Sequence, residues 1–308
     1  MANLQNLQIL TGELAAIGTA VFFAISATLF AKAGRQVGAS VVNRSRLLVA
    51  ALIAIAIYWV SRGEPIPAGL SHTAWVWLGA SGVIGLALGD DLLFRAYVSI
   101  GPALSMLVFA LVPAIATALG WIFLGETLSG REISGIAVTL FGVAWVVTAR
   151  RQEAAQSGRH DSHGHGRGIL FALGGAFGQA LGLVTAKVGL NEGASPQAAN
   201  CIRLLAAAVA VWLVTAFSGR ARQTLQTWAH NRRASALTVA GALAGPIAGV
   251  WLSLVAINRA PVGVASTLMS LTPLFLLPIG RLVFQEPITF RALAGTLLAI
   301  AGVAILLQ

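Results

Sequence analysis

A few charged side chains interrupt long apolar segments of this sequence, and they are the groups most able to do chemistry. Arg46 and Arg203 each lie close to the start of such a segment. One interpretation is that both guanidinium groups line a central cavity and attract an anionic group such as a carboxylate. The other is that both side chains extend from helix ends to lipid headgroups. The sequence leaves both interpretations open.

Two adjacent carboxylates and an arginine form a second cluster. Asp91 and Arg95 are four residues apart, so on a helix they share a face and can form an ion pair. Asp90 lies about 100° away around the helix and needs another partner. An unpaired carboxylate in an apolar segment could bind and release protons. The alternative is a structural ion-pair network.

Other polar residues within or beside apolar segments complete the candidate set. The further cavity candidates are Asn43, Asn200, Gln179 and Arg281. Two acidic residues end apolar segments, and an arginine follows each of them five residues later. This spacing predicts, in each half of the chain, a turn held by an ion pair, with a structural role for Glu126, Arg131, Glu286 and Arg291.

The elements that position these residues are predicted to be membrane helices. Of 308 residues, 57% are hydrophobic and 10% charged, whereas a soluble domain carries about 25% charged residues. A bilayer core needs about 20 apolar residues of helix, and lipid cannot satisfy exposed backbone groups. We therefore expect an all-α polytopic membrane protein with ten spans, at 13–32, 41–61, 73–98, 102–125, 129–149, 168–188, 196–218, 235–257, 262–284 and 288–307.

Composition also excludes several classes of function. The net charge is +10, but the arginines are spread over the junctions between apolar segments, as at a membrane surface, so no nucleic-acid partner is expected. Cys201 is the only cysteine, which excludes disulfides within the chain. The first twelve residues contain no lysine or arginine, so we expect no signal peptide. No phosphate loop, HExxH or GxSxG motif occurs, so we expect no enzyme and no cofactor.

The one long hydrophilic stretch, residues 150–167, is predicted to be a linker between two halves, 1–149 and 168–308. Its His160, His163 and His165 could bind a metal ion. A solvated linker without ordered ligands is the alternative interpretation, and we expect no metal site.

The two halves repeat each other at a nearly constant offset. At 160 residues, matching pairs include Pro113 and Pro273, Glu126 and Glu286, Arg131 and Arg291, Gly85 and Gly245, and Gly89 and Gly249. At 157, Asn43 matches Asn200 and Arg46 matches Arg203. Five helices per half place the second half upside down, which is the inverted-repeat architecture of many secondary transporters.

Two prolines mark the predicted fourth helix of each half. Pro113 and Pro273 lie near the middle of these segments, where a proline removes a backbone hydrogen bond and kinks the helix. Paired helix breaks of this kind indicate a binding site in a transporter. The alternative is that both prolines only shape helix packing.

Three segments resemble a known family, the EamA-type members of the drug/metabolite transporter superfamily. They are RLLVAALIA, GPALSMLVFALVPAIATALGWIFLGETLS and APVGVASTLMSLTPLFLLPIGRLVFQEPIT. The resemblance implies a multi-pass protein of a bacterial cytoplasmic membrane that transports metabolites, amino acids or drugs, often as an exporter. Two features depart from the family pattern: the charges at Asp90, Asp91 and Arg95, and Arg281, whose counterpart is Trp121.

We therefore expect a secondary transporter that exports small polar metabolites, such as amino acids or organic anions, by alternating access. An exporter of drugs or lipid-like molecules and a non-transporting membrane subunit are the alternatives. The partners expected are a small-molecule substrate and the bilayer, with the chain a monomer or a homodimer. The positive-inside rule places both termini outside, whereas the resemblance implies cytoplasmic termini; the two expectations disagree.

Overall fold

The computed structural model describes residues 2–109, 111–156, 165–272, 274–276, 278–279 and 290–306. Within these ranges the regular structure is helical throughout. The helices with defined bounds in the described part of the chain are, in order, α1 (Ala2–Val37), α2 (Ala39–Arg62), α3 (His72–Ser81), π1 (Gly82–Gly89), α4 (Asp90–Phe109), α5 (Val112–Leu124), α6 (Gly130–Gln156), α7 (His165–Asn191), α8 (Pro196–Phe217), α9 (Ala221–His230), α10 (Arg232–Ala242), π2 (Leu243–Gly249), α11 (Val250–Arg259), α12 (Val262–Met269) and α13 (Phe290–Leu306), where π1 and π2 are π-helical.

The described helices are those of a polytopic membrane protein. Among the described residues, six stretches are long and apolar enough to cross a bilayer: Leu10–Val37, Ala39–Arg62, His72–Ala96, Gly166–Asn191, Pro196–Phe217 and Arg232–Arg259. Shorter apolar helices cover Val112–Leu124, Val262–Leu276 and Leu293–Ile305. Large apolar side chains on their outer faces are exposed, among them Leu52, Val60, Phe123, Val214 and Phe217. This surface suits lipid rather than water.

Serine side chains fix the start of three helices. Ser71 Oγ accepts from Ala74 N at the start of α3, and Ser195 Oγ accepts from Ala198 N at the start of α8. Before α6, Ser129 and Glu132 cap each other reciprocally, because each side chain bonds the backbone N–H of the other residue. Such caps satisfy N–H groups that have no partner within the helix.

Equivalent helices of the two halves run in opposite directions. Near the start of α2, Arg44 O accepts from Trp212 Nε1, which lies near the end of α8. Beyond the middle of α2, Ser61 Oγ accepts from Gln197 Nε2, at the start of α8. Since α2 and α8 are repeat equivalents that pack antiparallel, the repeats are inverted.

The last helix of each half shows the same relation. Gly142 of α6 packs against Ala299 of α13, and Gly302 of α13 packs against Thr139 of α6. The repeat offset of 160 residues aligns Gly142 with Gly302 and Thr139 with Ala299, so the two contacts are equivalent. A Cβ at either glycine would fall 2.4 Å from a backbone nitrogen, so this crossing depends on small residues.

The third helix of each half packs against the first helix of the other. Gly85 and Gly89 in π1 lie against Gly182 and Gly178 of α7. In the second half, Gly245 and Gly249 in π2 lie against α1, at Ser26 and Phe23. The two halves therefore share one interior.

The predicted end of the third span is wrong in the first half and correct in the second. The sequence predicted a break between residues 98 and 102, but α4 continues to Phe109. In the second half the helix ends at Arg259, and Ala260 is extended before Pro261. A residue that precedes proline disfavours the α conformation, which explains this second break.

The position predicted for Pro113 is also corrected. A new helix, α5, begins at Val112, so Pro113 lies in the first turn of this helix instead of the middle of a helix. A proline in the first turn removes no hydrogen bond, because that N–H has no intrahelical acceptor. Its counterpart Pro273 lies outside the described residues.

Candidate functional site

The guanidinium group of Arg46 is held by side chains from three helices. Its Nε donates to Asn43 Oδ1 at 2.8 Å, one turn earlier on α2. Nη2 forms an ion pair with Asp90, the first residue of α4. The rings of Phe30 and Phe94 lie 5.4 and 5.3 Å from the guanidinium carbon. The Arg46 side chain is 10% exposed, so the interpretation that it extends to lipid headgroups is wrong.

The two adjacent carboxylates have different environments. The Asp90 side chain is 17% exposed and meets Arg46. Asp91 pairs with Arg95 at 2.7 Å, but these side chains are 45% and 59% exposed. The predicted i, i+4 pair is confirmed, and it lies on the outside of the bundle, where Arg95 also approaches the Phe171 ring.

Arg203 is the most deeply buried charged residue among those described, with 1% of its surface exposed. Its backbone packs against Gly82, and a Cβ on Gly82 would lie 2.1 Å from Arg203 O. Nε and Nη1 of Arg203 are buried and donate no hydrogen bond. Asp90 interacts with this guanidinium electrostatically but makes its hydrogen bond to Arg46. The headgroup interpretation is therefore wrong for Arg203 as well.

Two amide oxygens close to Arg203 also have no hydrogen-bond donor. Asn200 lies one turn before Arg203; its Nδ2 donates to Pro246 O and Ile247 O in π2, and its Oδ1 is unpartnered. Gln179 Oε1 on α7 is likewise unpartnered. Arg203 Nη2 and Gln179 Oε1 both lie beside Gly85, 3.6 and 3.8 Å from where a Cβ would be. The structure thus brings Gln179 and Arg203 together.

The two π-helical segments position this site. π1 ends immediately before Asp90, and π2 supplies the two carbonyl groups that orient Asn200. A π-helical turn changes the direction of the following side chains, and such turns are common at functional sites. In the sequence, the paired glycines served only as evidence for the repeat, and the π-helical geometry was not predicted. The available signal was Pro246 among them, since a proline disturbs regular α-helical bonding.

Glu126 has a different partner from the one expected. Its carboxylate pairs with Lys187 of α7 instead of Arg131, which lies exposed. The second carboxylate oxygen accepts from Val262 N at the start of α12, and Lys187 Nζ also donates to Ala260 O at 2.8 Å. These contacts, here named the cross-half ion pair, join the first half to the second. The Glu126–Lys187 pair forms instead of the local Glu126–Arg131 pair because it also satisfies backbone groups at the start of α12.

The remaining candidates either are exposed or lie outside the described residues. Trp121 and Arg291 are exposed. Arg281, Glu286, His160 and His163 lie outside the described residues. Among the described residues, no three histidine, cysteine or acidic side chains form a group that could hold a metal ion.

Comparison with known proteins agrees with this architecture. A solved structure titled "Crystal structure of protein" superimposes with a TM-score of 0.75 at 16% sequence identity, over 96% of this chain and 95% of that one. At this identity the similarity establishes the fold alone. No curated protein matches the chain.

A family model described as "EamA-like transporter family" matches the chain twice, over residues 10–148 and 166–308. The two matches cover most of the chain, and they correspond to the two inverted halves described above. The chain therefore belongs to the EamA-like transporter family.

Proposed function

We propose that this protein is a secondary transporter that exports small polar metabolites carrying an anionic group, such as amino acids or organic anions. The observation that carries the proposal is Arg203. This guanidinium is buried, it belongs to a helix that crosses the bundle, and two of its nitrogens have no hydrogen-bond acceptor. A substrate anion would supply that acceptor.

The charges of the site support an anionic substrate. Arg46 and Arg203 are cationic, Asp90 is anionic, and the ion pair satisfies only Arg46. Among these three groups one positive charge therefore remains, and an uncompensated buried ion is costly. A monoanion would neutralise the site, whereas a cation would add to the excess charge. Apolar drugs would leave the guanidinium without a partner.

The fold supports alternating access as the mechanism. Inverted repeats can exchange conformations, so that a site between them opens to one side and then to the other. The site contains residues from both halves, since Gly85 and Asp90 belong to the first half and Arg203 and Gln179 to the second. Movement of one half relative to the other would change its surroundings.

Flux measurements on purified protein in proteoliposomes test the proposal. The panel consists of amino acids, mono- and dicarboxylates, a neutral sugar and a quaternary ammonium cation. We expect accumulation of at least one carboxylate, and Arg203→Gln to lower that flux about tenfold or more, since a charge-assisted hydrogen bond is lost. The control is Arg62→Gln, at the exposed end of α2. Transport of the cation alone, or an unchanged flux in Arg203→Gln, would overturn the proposal.

A further inference from the structure

The repeat symmetry identifies a position where the second half lacks a charge that the first half has. An offset of 157 residues between the halves aligns Asn43 with Asn200 and Arg46 with Arg203. An offset of 160 carries Gly89, the last residue of π1, to Gly249, the last residue of π2. The next residue is Asp90 in the first half and Val250 in the second. Val250 is buried, and it begins α11 as Asp90 begins α4.

The two positions pack against corresponding helices of the opposite halves. Gly89 packs on α7 at Gly178, and Gly249 packs on α1 at Phe23. Gly178 and Phe23 are themselves related by the offset of 155 that relates Lys187 to Lys32. The two-fold relation therefore extends to the residues on either side of the site.

The two arginines consequently differ in two contacts. Arg46 has an amide oxygen on its Nε and a carboxylate on its Nη2. Arg203 has neither: Asn200 Oδ1 and Arg203 Nε are both unpartnered, and valine replaces the carboxylate. Among the described residues, the only carboxylate that acts on Arg203 is Asp90, which hydrogen-bonds Arg46 instead, so the two guanidinium groups share one negative charge. Such a buried excess of positive charge is costly unless a ligand offsets it.

We infer that the carboxylate of the substrate takes the role at Arg203 that Asp90 has at Arg46, on the side of the site formed by Val250. This inference rests on the proposed function and specifies its substrate. The two unpartnered amide oxygens, Gln179 Oε1 and Asn200 Oδ1, accept hydrogen bonds from the same molecule. The substrate is therefore a small carboxylic acid that also carries an amine or hydroxyl donor.

Valine has two consequences at this position. It carries no charge that would neutralise Arg203 permanently. The buried guanidinium therefore keeps its charge for a ligand that enters when the halves move. It is also apolar, which lowers the local dielectric constant and strengthens a guanidinium–carboxylate interaction once formed. An aspartate here would behave as a tethered substrate anion.

The test introduces that tethered anion. Val250→Asp is compared with Val250→Asn, which is nearly isosteric but uncharged, each with Arg203 intact and with Arg203→Gln. In purified protein without ligand, we expect the aspartate variant to melt at a higher temperature than the asparagine variant only when Arg203 is present. Equal melting temperatures in the Arg203 background would overturn the inference, and this readout needs no transport activity.

Ligand binding provides the second readout. The probes are the proteinogenic L-amino acids, their 2-hydroxy acids, the acids lacking the donor, and the amino acid amides. We expect an amino or hydroxy acid to raise the melting temperature of the wild type most. Val250→Asp should weaken that ligand about tenfold or more, and Val250→Asn about threefold or less.

The outcomes separate the inference from the proposed function. If carboxylates bind the wild type and bind Val250→Asp equally well, the inference fails and the proposed function stands. If the acids lacking a donor bind as tightly as the amino and hydroxy acids, the assignment of the amide oxygens fails. If no carboxylate binds or is transported by the wild type, the proposed function itself fails.

Discussion

Asp90 and Asp91 are adjacent in sequence, yet one contributes to the interior and the other to the surface. Asp90 follows π1 directly and faces Arg46 of α2, whereas Asp91 is about 100° further round the helix and meets Arg95 outside. The buried pair excludes water, so its two charges depend strongly on each other. The exposed pair contributes little to stability.

This difference predicts unequal effects of matched substitutions. Asp90→Asn should lower the free energy of unfolding by about 3 kcal/mol, because Arg46 would stay buried without its counter-ion. Asp91→Asn should lower it by about 0.5 kcal/mol or less. Thermal or denaturant unfolding of the purified variants measures both. Equal effects of the two substitutions would show that the Arg46–Asp90 pair is not a buried ion pair of the native state.

The same residues show what sequence can predict about the site. The Asp91–Arg95 pair follows from a spacing of four, and it was predicted correctly. The Arg46–Asp90 pair joins residues 44 positions apart, and only the packing of α2 against α4 brings them together. Local patterns identified Arg46 and Arg203 as candidates but could not determine whether each has a partner.

At the scale of elements, glycines determine how closely α8 approaches π1. A Cβ at Gly82 would lie 2.1 Å from the backbone oxygen of Arg203, whereas a Cβ at Gly79 would lie 3.9 Å from its nearest neighbour, Ala206 Cβ. The first contact is with backbone and cannot be relieved by a side-chain rotation. The second is an ordinary van der Waals distance.

Alanine substitutions test this packing. Gly82→Ala should destabilise the protein by about 2 kcal/mol and move Arg203 away from the site, since overpacking forces the backbone to shift. Gly79→Ala should be neutral or stabilising, because alanine favours helix. The measurements are thermal unfolding and the affinity for the transported carboxylate. If Gly82→Ala proves as stable as Gly79→Ala, the close approach of α8 to π1 is wrong.

The cross-half ion pair is another property of elements, because it connects the end of α5, the end of α7 and the start of α12. Lys187→Met should lower the free energy of unfolding by about 3 kcal/mol, since Glu126 would lose its counter-ion. Glu126→Gln should cost less, because an amide oxygen can still accept from Val262 N. The free energies of unfolding of the two variants are compared with that of the wild type. A larger loss in Glu126→Gln than in Lys187→Met would contradict this prediction.

Helix positions were easier to predict than helix breaks. Apolar length determines where a helix crosses a bilayer, and the six long spans follow from it. The break at Ala260–Pro261 has a local cause in the proline. The continuation of α4 through Gly101 and Pro102 does not follow from local sequence, and nothing in the described contacts explains it.

At the scale of the whole molecule, the halves are inverted but not identical. One third helix continues from α3 to Phe109, whereas its counterpart ends at Arg259 before a new helix begins. Because a new helix begins at Val262 in the second half, the N–H of Val262 has no acceptor within the helix and donates to Glu126. In the proposed alternating access, the two halves would exchange these two conformations.

The cross-half ion pair lies at the end face of the bundle where the first apolar span, Leu10–Val37, begins, since Arg259, just before α12, bonds Thr11. Movement of the halves that opens this face must separate Glu126 from Lys187. We therefore expect a covalent link between these positions to stop transport. In a Cys201→Ala background, Glu126→Cys and Lys187→Cys joined by a bifunctional thiol reagent should lose flux by about tenfold or more while substrate still binds from the opposite face.

A matched pair within one helix controls for the reagent. Gln226→Cys and His230→Cys lie one turn apart on the exposed face of α9, so a link between them constrains no movement of one half against the other. Flux should fall only in the cross-half pair and should return when the link is reduced. Full transport with Glu126 and Lys187 covalently joined would mean that this face does not open, and alternating access around Arg203 would then lack its required movement.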